Sequence, residues 1–524
     1  MNTQSTVVQS GIDKSKRLWL SDGMTAAWMF AGLAVLLQMV LSGRYGYFRD
    51  ELYYLALSHH LDWGYVDLAP LSPLILRASR IFLGDSLHAL RFLPAMAQGA
   101  EIVLTGLIAR ELGGKRFAVL LACLSVLVAP VVLANADRYS MNAFEPLFWM
   151  GSMYCLLLAI NRDLPQMLVW SGVLIGLGLE NKHSTAFFLI SLTVALLATG
   201  ERRLLRSKWL WIAAATIVLL SLPNLIWQYQ RGFPTWVDLT NVKKTHKNVE
   251  LPPLAFLLQQ IMMLLPGNAL VWIAGLGYLL FHGEGKRYRV LGVAYLVFLA
   301  IMMALHGKDY YLAPIYPMLL AAGGIFWEKL TAPRDRLRWV RTALPAFLAV
   351  MGAMVAPVVL PVLPPDRVVP YMARLGSNSP RTETGMKSIL PQYFADEFGW
   401  EEMVAQVAQV YNSIPPDERA KAAILGGNYG SAGAIDFFGG QYGLPKSISA
   451  HQNYYYWGFR EYTGENLIML NWPLDGAQHW CQSVEQGPVI AHPYAMSWEH
   501  YTILICHGLK KPLAEAWPDF KVWN

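Results

Sequence analysis

Asp50 and Glu51 sit side by side just past the first apolar run, and Asp137 lies beside Arg138 at the end of another. Carboxylates so placed can take a proton from an attacking hydroxyl. The cations Arg138, Lys182 and Lys308, with His183 and the phenols Tyr310 and Tyr311, are the groups that steady an anionic leaving group in a partly dry site. Each has a plainer reading. Asp50 and Glu51 can be ordinary loop charges, and Arg138 and Lys308 can snorkel to lipid headgroups. Lys182 and His183 resist that reading, because they are squeezed between two apolar segments where a charge needs a partner or a ligand. His59 and His60 read as loop residues, since no Cys/His/Asp set has zinc-like spacing, and whether a divalent metal takes part is left open.

The elements that must hold these groups are membrane spans. The chain has 524 residues, of which 55% are hydrophobic and 15% charged, too apolar for a soluble surface. Its nineteen Trp and twenty-five Tyr suit many membrane–water boundaries. The formal charge of +6 is scattered in short clusters, which excludes a nucleic-acid-binding footprint. Apolar runs at Met24–Leu41, Leu90–Ala109, Phe117–Ala134, Phe144–Ile160, Leu168–Leu179, Thr185–Ala198, Trp209–Trp227, Leu254–Phe281, Val290–Leu305, Leu312–Trp327 and Val340–Val362 give about eleven spans. The first follows Lys14, Lys16 and Arg17 without a cleavage motif and reads as a retained anchor.

Counted from a cytoplasmic N-terminal tail (residues 1–23), the inner loops carry Arg110/Lys115/Arg116, Arg202/Arg203/Arg206/Lys208, Lys286/Arg287/Arg289 and Lys329/Arg334/Arg336/Arg338. The positive-inside rule demands that phase. It puts the loop 44–85, the Asp137, Lys182 and Lys308 clusters and everything after residue 366 on one outer face.

After Pro361, Pro364 and Pro365 the character changes. Met403, Val404, Val407, Val410 and Tyr411 recur at helical spacing, and Ala422–Leu425, Asn466–Leu470, Val489–Ala491 and Tyr501–Ile505 read as strands. Residues 366–524 are expected to form an α/β domain. Gly426, Gly427, Gly430 and Gly433 lack a complete dinucleotide fingerprint and read as a turn before a helix. Cys481 and Cys506 can pair if this region is exported, or stay reduced and buried.

Phe48-Arg49-Asp50-Glu51-Leu52-Tyr53-Tyr54 resembles the first external loop of glycosyltransferase family 39, which includes protein O-mannosyltransferases and lipid A aminoarabinose transferases. Leu179–Ser184 and the segment from Gly307 to Pro317 resemble its bacterial members, and the resemblance covers most of residues 44–330. NYGSAGAI from Asn428 and HQNYYYWG from His451 resemble the C-terminal region of a bacterial subgroup. Leu68-Ala69-Pro70-Leu71 departs from the family's Lys- or His-Pro-Pro-Leu, so other cations would have to meet a carrier phosphate; Ser431 stands where the subgroup has Glu.

The resemblance implies an all-α polytopic GT-C membrane domain over 24–363 and a polyprenyl-phosphate sugar donor in a bacterial cytoplasmic membrane, with an envelope lipid, polysaccharide or protein as hydroxyl acceptor. In that scheme Asp50 is the base, Glu51 or Asp137 orients, and one displacement inverts the anomeric centre. A transporter would show inverted repeats and midplane polar groups, whereas the polar groups here gather at one face. A non-catalytic envelope assembly protein is the other alternative.

Overall fold

The computed structural model describes residues 23–376, 384 and 387–524. The N-terminal tail therefore lies outside the described residues, apart from Gly23. The chain divides into two compact units. The first takes residues up to Ser42 with Arg91–Pro223 and Glu250–Val362; the second takes Gly43–Leu90, Asn224–Val249 and Leu363–Asn524.

The first unit is helical because nearly every run in it is apolar and must satisfy its backbone internally. Among the described residues seven helices are long and apolar enough to cross a membrane, or up to ten if each bent pair is one span. The eleven expected runs fall on these ten and, at the fifth, on a shorter apolar helix, Met167–Asn181. The long run at 254–281 is broken into Pro253–Met263 and Pro266–Phe281, bent by 101°. Pro266 cannot continue the preceding helix, and Leu265 before it takes φ +79°. Pro130 likewise opens the second half of a pair bent by 61°. The basic stretch expected as a loop at 201–208 is largely a 3-10 turn, Gly200–Arg206.

Two features hold this bundle together. Trp149, fully buried, stacks on Phe188 at 4.4 Å and meets Phe298 edge-on at 5.1 Å. Ala269–Phe281 and Tyr316–Thr331 approach through glycines: a Cβ on Gly275 would lie 2.0 Å from the Leu319 carbonyl oxygen, and one on Gly323 would lie 2.0 Å from that of Val271. Small residues permit such contact in lipid, where no hydrophobic force drives helices together. Outward faces stay apolar, as on Lys208–Gln230, where Trp211 and Leu219 are exposed.

In the second unit the segment expected as a loop at 44–85 contains two helices, Arg49–His59 and Leu71–Leu83. A four-stranded sheet has the order β1-β2-β4-β3, with β1 Ala422–Gly426, β2 Asn466–Leu470, β3 Cys481–Ile490 and β4 Tyr501–Leu509. β1 and β2 run parallel and the other pairs antiparallel. β3 is much longer than the Val489–Ala491 expected from apolarity, because its Gln-Ser-Val-Glu-Gln centre is an edge that faces water. Cys481 and Cys506 are disulfide-bonded across β3 and β4. The helix expected around 403–411 runs from Trp400 to Ser413.

The glycine-rich stretch after β1 is a capped helix start. Asn428 accepts from the Ser431 N–H at 2.9 Å and Ser431 Oγ accepts from the Asn428 N–H at 3.4 Å. This is the reciprocal box that Glu usually completes at the third helical position, so Ser431 fills that place with a shorter arm. Gly430 and Gly433 lie on one face of Tyr429–Phe438, and a Cβ on Gly433 would meet the Leu52 carbonyl oxygen at 2.8 Å. Those glycines bring this helix against Arg49–His59.

Candidate functional site

In the first unit Ser140 caps Met141–Asn161, accepting from the Asn142 N–H at 3.2 Å, and that helix start presents Asn142 and Glu145. Met167–Asn181 ends where Lys182 takes an extended conformation. The Lys182 ammonium then donates to Glu145 Oε2 and Asn142 Oδ1, both at 2.8 Å. Ser184 Oγ donates to the other carboxylate oxygen of Glu145. Lys182 and Glu145 are nearly fully buried. The partner that an enclosed lysine requires is therefore Glu145, a residue sequence reasoning missed. The available signal was a lone acid inside an apolar run.

The other side of Lys182 is aromatic. Its Nζ lies 4.3 Å from the Tyr311 ring centroid and 5.5 Å from that of Tyr310, and the two phenols meet edge-on at 5.1 Å. Cation–π attraction of this kind strengthens out of water. Lys308, half-buried, is near enough for its charge to oppose that of Lys182. Among the described residues Lys308 makes no ion pair. Arg138 Nη2 lies 3.2 Å from Asp137 Oδ2, with both side chains almost wholly enclosed. His183 is half-buried at the turn between the two helices.

In the second unit the two adjacent acids part company. Glu51, fully buried, accepts from the Phe48 N–H at 2.9 Å and caps Arg49–His59. Asp50, 38% exposed, accepts from the Tyr429 hydroxyl at 2.8 Å and lies 3.6 Å from Arg49 Nε. The Arg49 guanidinium sits over the rings of Trp498 and Tyr429. Glu51 is thus held by the helix start, and Asp50 is the acid left open to solvent.

Asp67 joins this group. It accepts from Tyr53 OH at 3.1 Å, and Tyr53 stacks on Tyr429 at 4.6 Å. Burial, reinforced by the negative charges of Asp238 and Asp50 and partly offset by the Tyr53 hydrogen bond, pushes the Asp67 carboxyl up to about 7. A carboxyl tuned near neutrality in a polar cluster is a functional candidate. Among the described residues no group of three or more His, Cys, Asp or Glu side chains is placed to hold a metal ion. In the departed segment, Ala69 is fully buried and Pro70 precedes the first turn of Leu71–Leu83.

Residues 67–227 match the family model of dolichyl-phosphate-mannose-protein mannosyltransferases. A search of curated protein sequences finds no match. Among solved structures, ArnT from Cupriavidus metallidurans bound to undecaprenyl phosphate is similar with a TM-score of 0.58 and 12% identity, covering 91% of this chain and 97% of that one. The apo state of the same protein gives 0.58 and 13% over the same shares. The chain is a multi-span membrane protein with an ArnT-like GT-C fold.

Proposed function

We propose that this protein is a glycosyltransferase that moves a sugar from a polyprenyl-phosphate carrier to a hydroxyl acceptor at the outer face of a bacterial cytoplasmic membrane. The observation that carries this reading is Lys308, a cation without an ion pair beside the buried Lys182 and the phenols Tyr310 and Tyr311. A lipid phosphate entering an apolar bundle needs such a set. The fold supports the choice of carrier, since the similar ArnT structure is bound to undecaprenyl phosphate.

In this mechanism Lys308 receives the carrier phosphate and offsets the charge that develops as the glycosidic C–O bond breaks. Lys182 is already matched by Glu145, so its contribution is positional: it holds Tyr310 and Tyr311, whose hydroxyls donate to the phosphate oxygens. The Asp137–Arg138 couple supplies a second, internally neutralised donor. Asp50 accepts the proton of the attacking hydroxyl, with Tyr429 and Arg49 fixing the carboxylate. One displacement inverts the anomeric configuration.

The test is transfer by the purified protein from a polyprenyl-phosphate sugar, with the anomer of the product read by NMR. Retention of configuration would remove the single-displacement scheme, and failure to consume any such donor would remove the reading itself.

A further inference from the structure

A cavity of ≈ 250 Å³ lies within the second unit beside the C-terminal half of Arg49–His59. Its lining is mostly basic: the cations Arg80, Lys446 and Arg460 and the imidazoles His59 and His60 against one acid, Asp436. Asp436 is already engaged, accepting from the Ser447 N–H at 2.8 Å, from Ser447 Oγ at 3.0 Å and from Tyr454 OH at 3.0 Å. Arg80 is clamped by Asp85 and also donates to Ser58 Oγ and the Leu55 carbonyl oxygen. Lys446 and Arg460 differ. Each donates to a backbone carbonyl, of Asp436 and Ser447 respectively, and among the described residues neither forms a salt bridge, although Lys446 is near enough to attract the Asp436 carboxylate.

Two imidazoles report the resulting field. His59 is pushed down by burial and then by Arg80, Arg77 and Lys446, with Asp85 opposing. His60 is pushed down by burial and then by Arg460, with Lys446 adding and Asp436 opposing. An excess of cations in a concave, partly dehydrated space raises the local concentration of anions. The cavity also has flat apolar walls, in Phe437 and in the His60 ring stacked on Trp457 at 4.2 Å. Aromatic faces with a few convergent charges are the usual lining of a small-molecule site.

We propose that this cavity binds an anionic saccharide, one bearing a phosphate or a carboxylate, as the acceptor of the reaction; the acceptor role rests on the glycosyltransferase reading. Lys446 and Arg460 meet the oxyanion, and Phe437 and His60 face the sugar ring. The placement suits that role. Asp50 and His59 stand at opposite ends of one helix, about 13 Å apart at 1.5 Å per residue. A short oligosaccharide whose charge is held by Lys446 and Arg460 near the His59 end brings a hydroxyl of a neighbouring ring to Asp50.

The experiment is equilibrium binding to the full-length protein in detergent, with a hexose phosphate, a hexuronate oligosaccharide, their neutral counterparts and inorganic phosphate as probes. The expected result is saturable binding of an anionic sugar, weakened about tenfold or more by Lys446→Ala or Arg460→Ala, consistent with loss of a charge-assisted contact. Binding should be largely retained in Arg460→Lys and weakened by salt. The tighter of the two anionic probes identifies phosphate or carboxylate. Unchanged binding in both Ala variants overturns the proposal. So does inorganic phosphate binding as tightly as the phosphosugar, or equal displacement by phosphatidylglycerol, which would make the cavity a headgroup site. Because binding is read without transfer, a protein that binds anionic sugar yet transfers nothing would refute the reaction and leave the binding site standing.

Discussion

The Tyr429 hydroxyl donates to Asp50 Oδ1 at 2.8 Å, although 379 positions separate the two residues. The contact fixes one carboxylate oxygen in a side chain that is otherwise open to solvent. Asp50→Asn keeps the size and the Tyr429 contact but removes the proton acceptor, so transfer should fall on the order of a hundredfold to ten-thousandfold while donor affinity survives. Tyr429→Phe should cost much less, about tenfold, through misorientation. Parallel measurement of transfer and donor binding in both variants separates the roles, and near-normal transfer in Asp50→Asn would end its candidacy as base.

Lys308 and Lys182 should behave differently. Lys308→Ala is expected to lower turnover about tenfold or more with little change in thermal stability, since it removes an unpaired cation. Lys182→Met leaves Glu145 buried without its partner, which typically costs about 3–5 kcal/mol, and the double variant Lys182→Met/Glu145→Gln should recover much of that loss. Thermal unfolding in detergent reads the cycle. Additive losses in the double variant would show that the pair is not coupled.

The Asp67 carboxyl, raised to about 7 from an ordinary 3.8, predicts a pH dependence whose sign can be worked out. A folded-state value above the unfolded one gives stability that is fully present below 3.8 and is lost as pH rises through about 7. Asp67→Asn should remove that slope, so the difference in melting point between variant and wild type should grow by a few degrees from pH 4 to 8. Taking the difference isolates Asp67 from His451, which burial depresses to about 3 and which acts in the opposite direction, losing its contribution as pH falls below 6.5. A pH-independent difference would mean that Asp67 titrates normally.

The Cys481–Cys506 bridge closes a separation of 25 residues. Replacing both cysteines by Ala should destabilise the second unit by about 2–4 kcal/mol, and reductant should lower the melting point of wild type but not of the double variant. Equal sensitivity of both proteins to reductant would place the effect elsewhere.

Reporter fusions test the orientation. Fusions at Arg202–Lys208 should report the cytoplasm and fusions after residue 390 the outer face, as the basic loops require. The opposite pattern would move Asp50, Lys182 and Lys308 to the inner face and overturn the proposed site.

Much of the architecture was legible because membrane spans and buried strands announce themselves by apolar length. β1, β2 and β4 stood out for that reason. β3 did not, because its polar centre pairs through backbone groups that are indifferent to side-chain type. Lys182 was legible as a charge needing a partner, yet Glu145 was not, since a hydropathy window averages one acid away. The different fates of Asp50 and Glu51 could not be read from sequence, because the capping geometry that turns Glu51 inward is set by the path of the chain before the helix. The joining of residues 43–90 and 224–249 to the C-terminal region was equally hidden, being a property of packing between segments far apart in the chain.

That second unit is assembled from three separate stretches of chain, and synthesis delivers them in order. The helix bearing Asp50 leaves the ribosome roughly 300 residues before the first residue of the last stretch, a delay on the order of tens of seconds at usual translation rates. Through that interval Leu52 and Tyr53 have no Tyr429–Phe438 helix to cover them, and Asp50 has no phenol to hold it. The nascent protein must therefore keep an incomplete surface waiting for its own C-terminus, so premature termination anywhere before Asn428 would remove the support of the carboxylate as surely as mutating it.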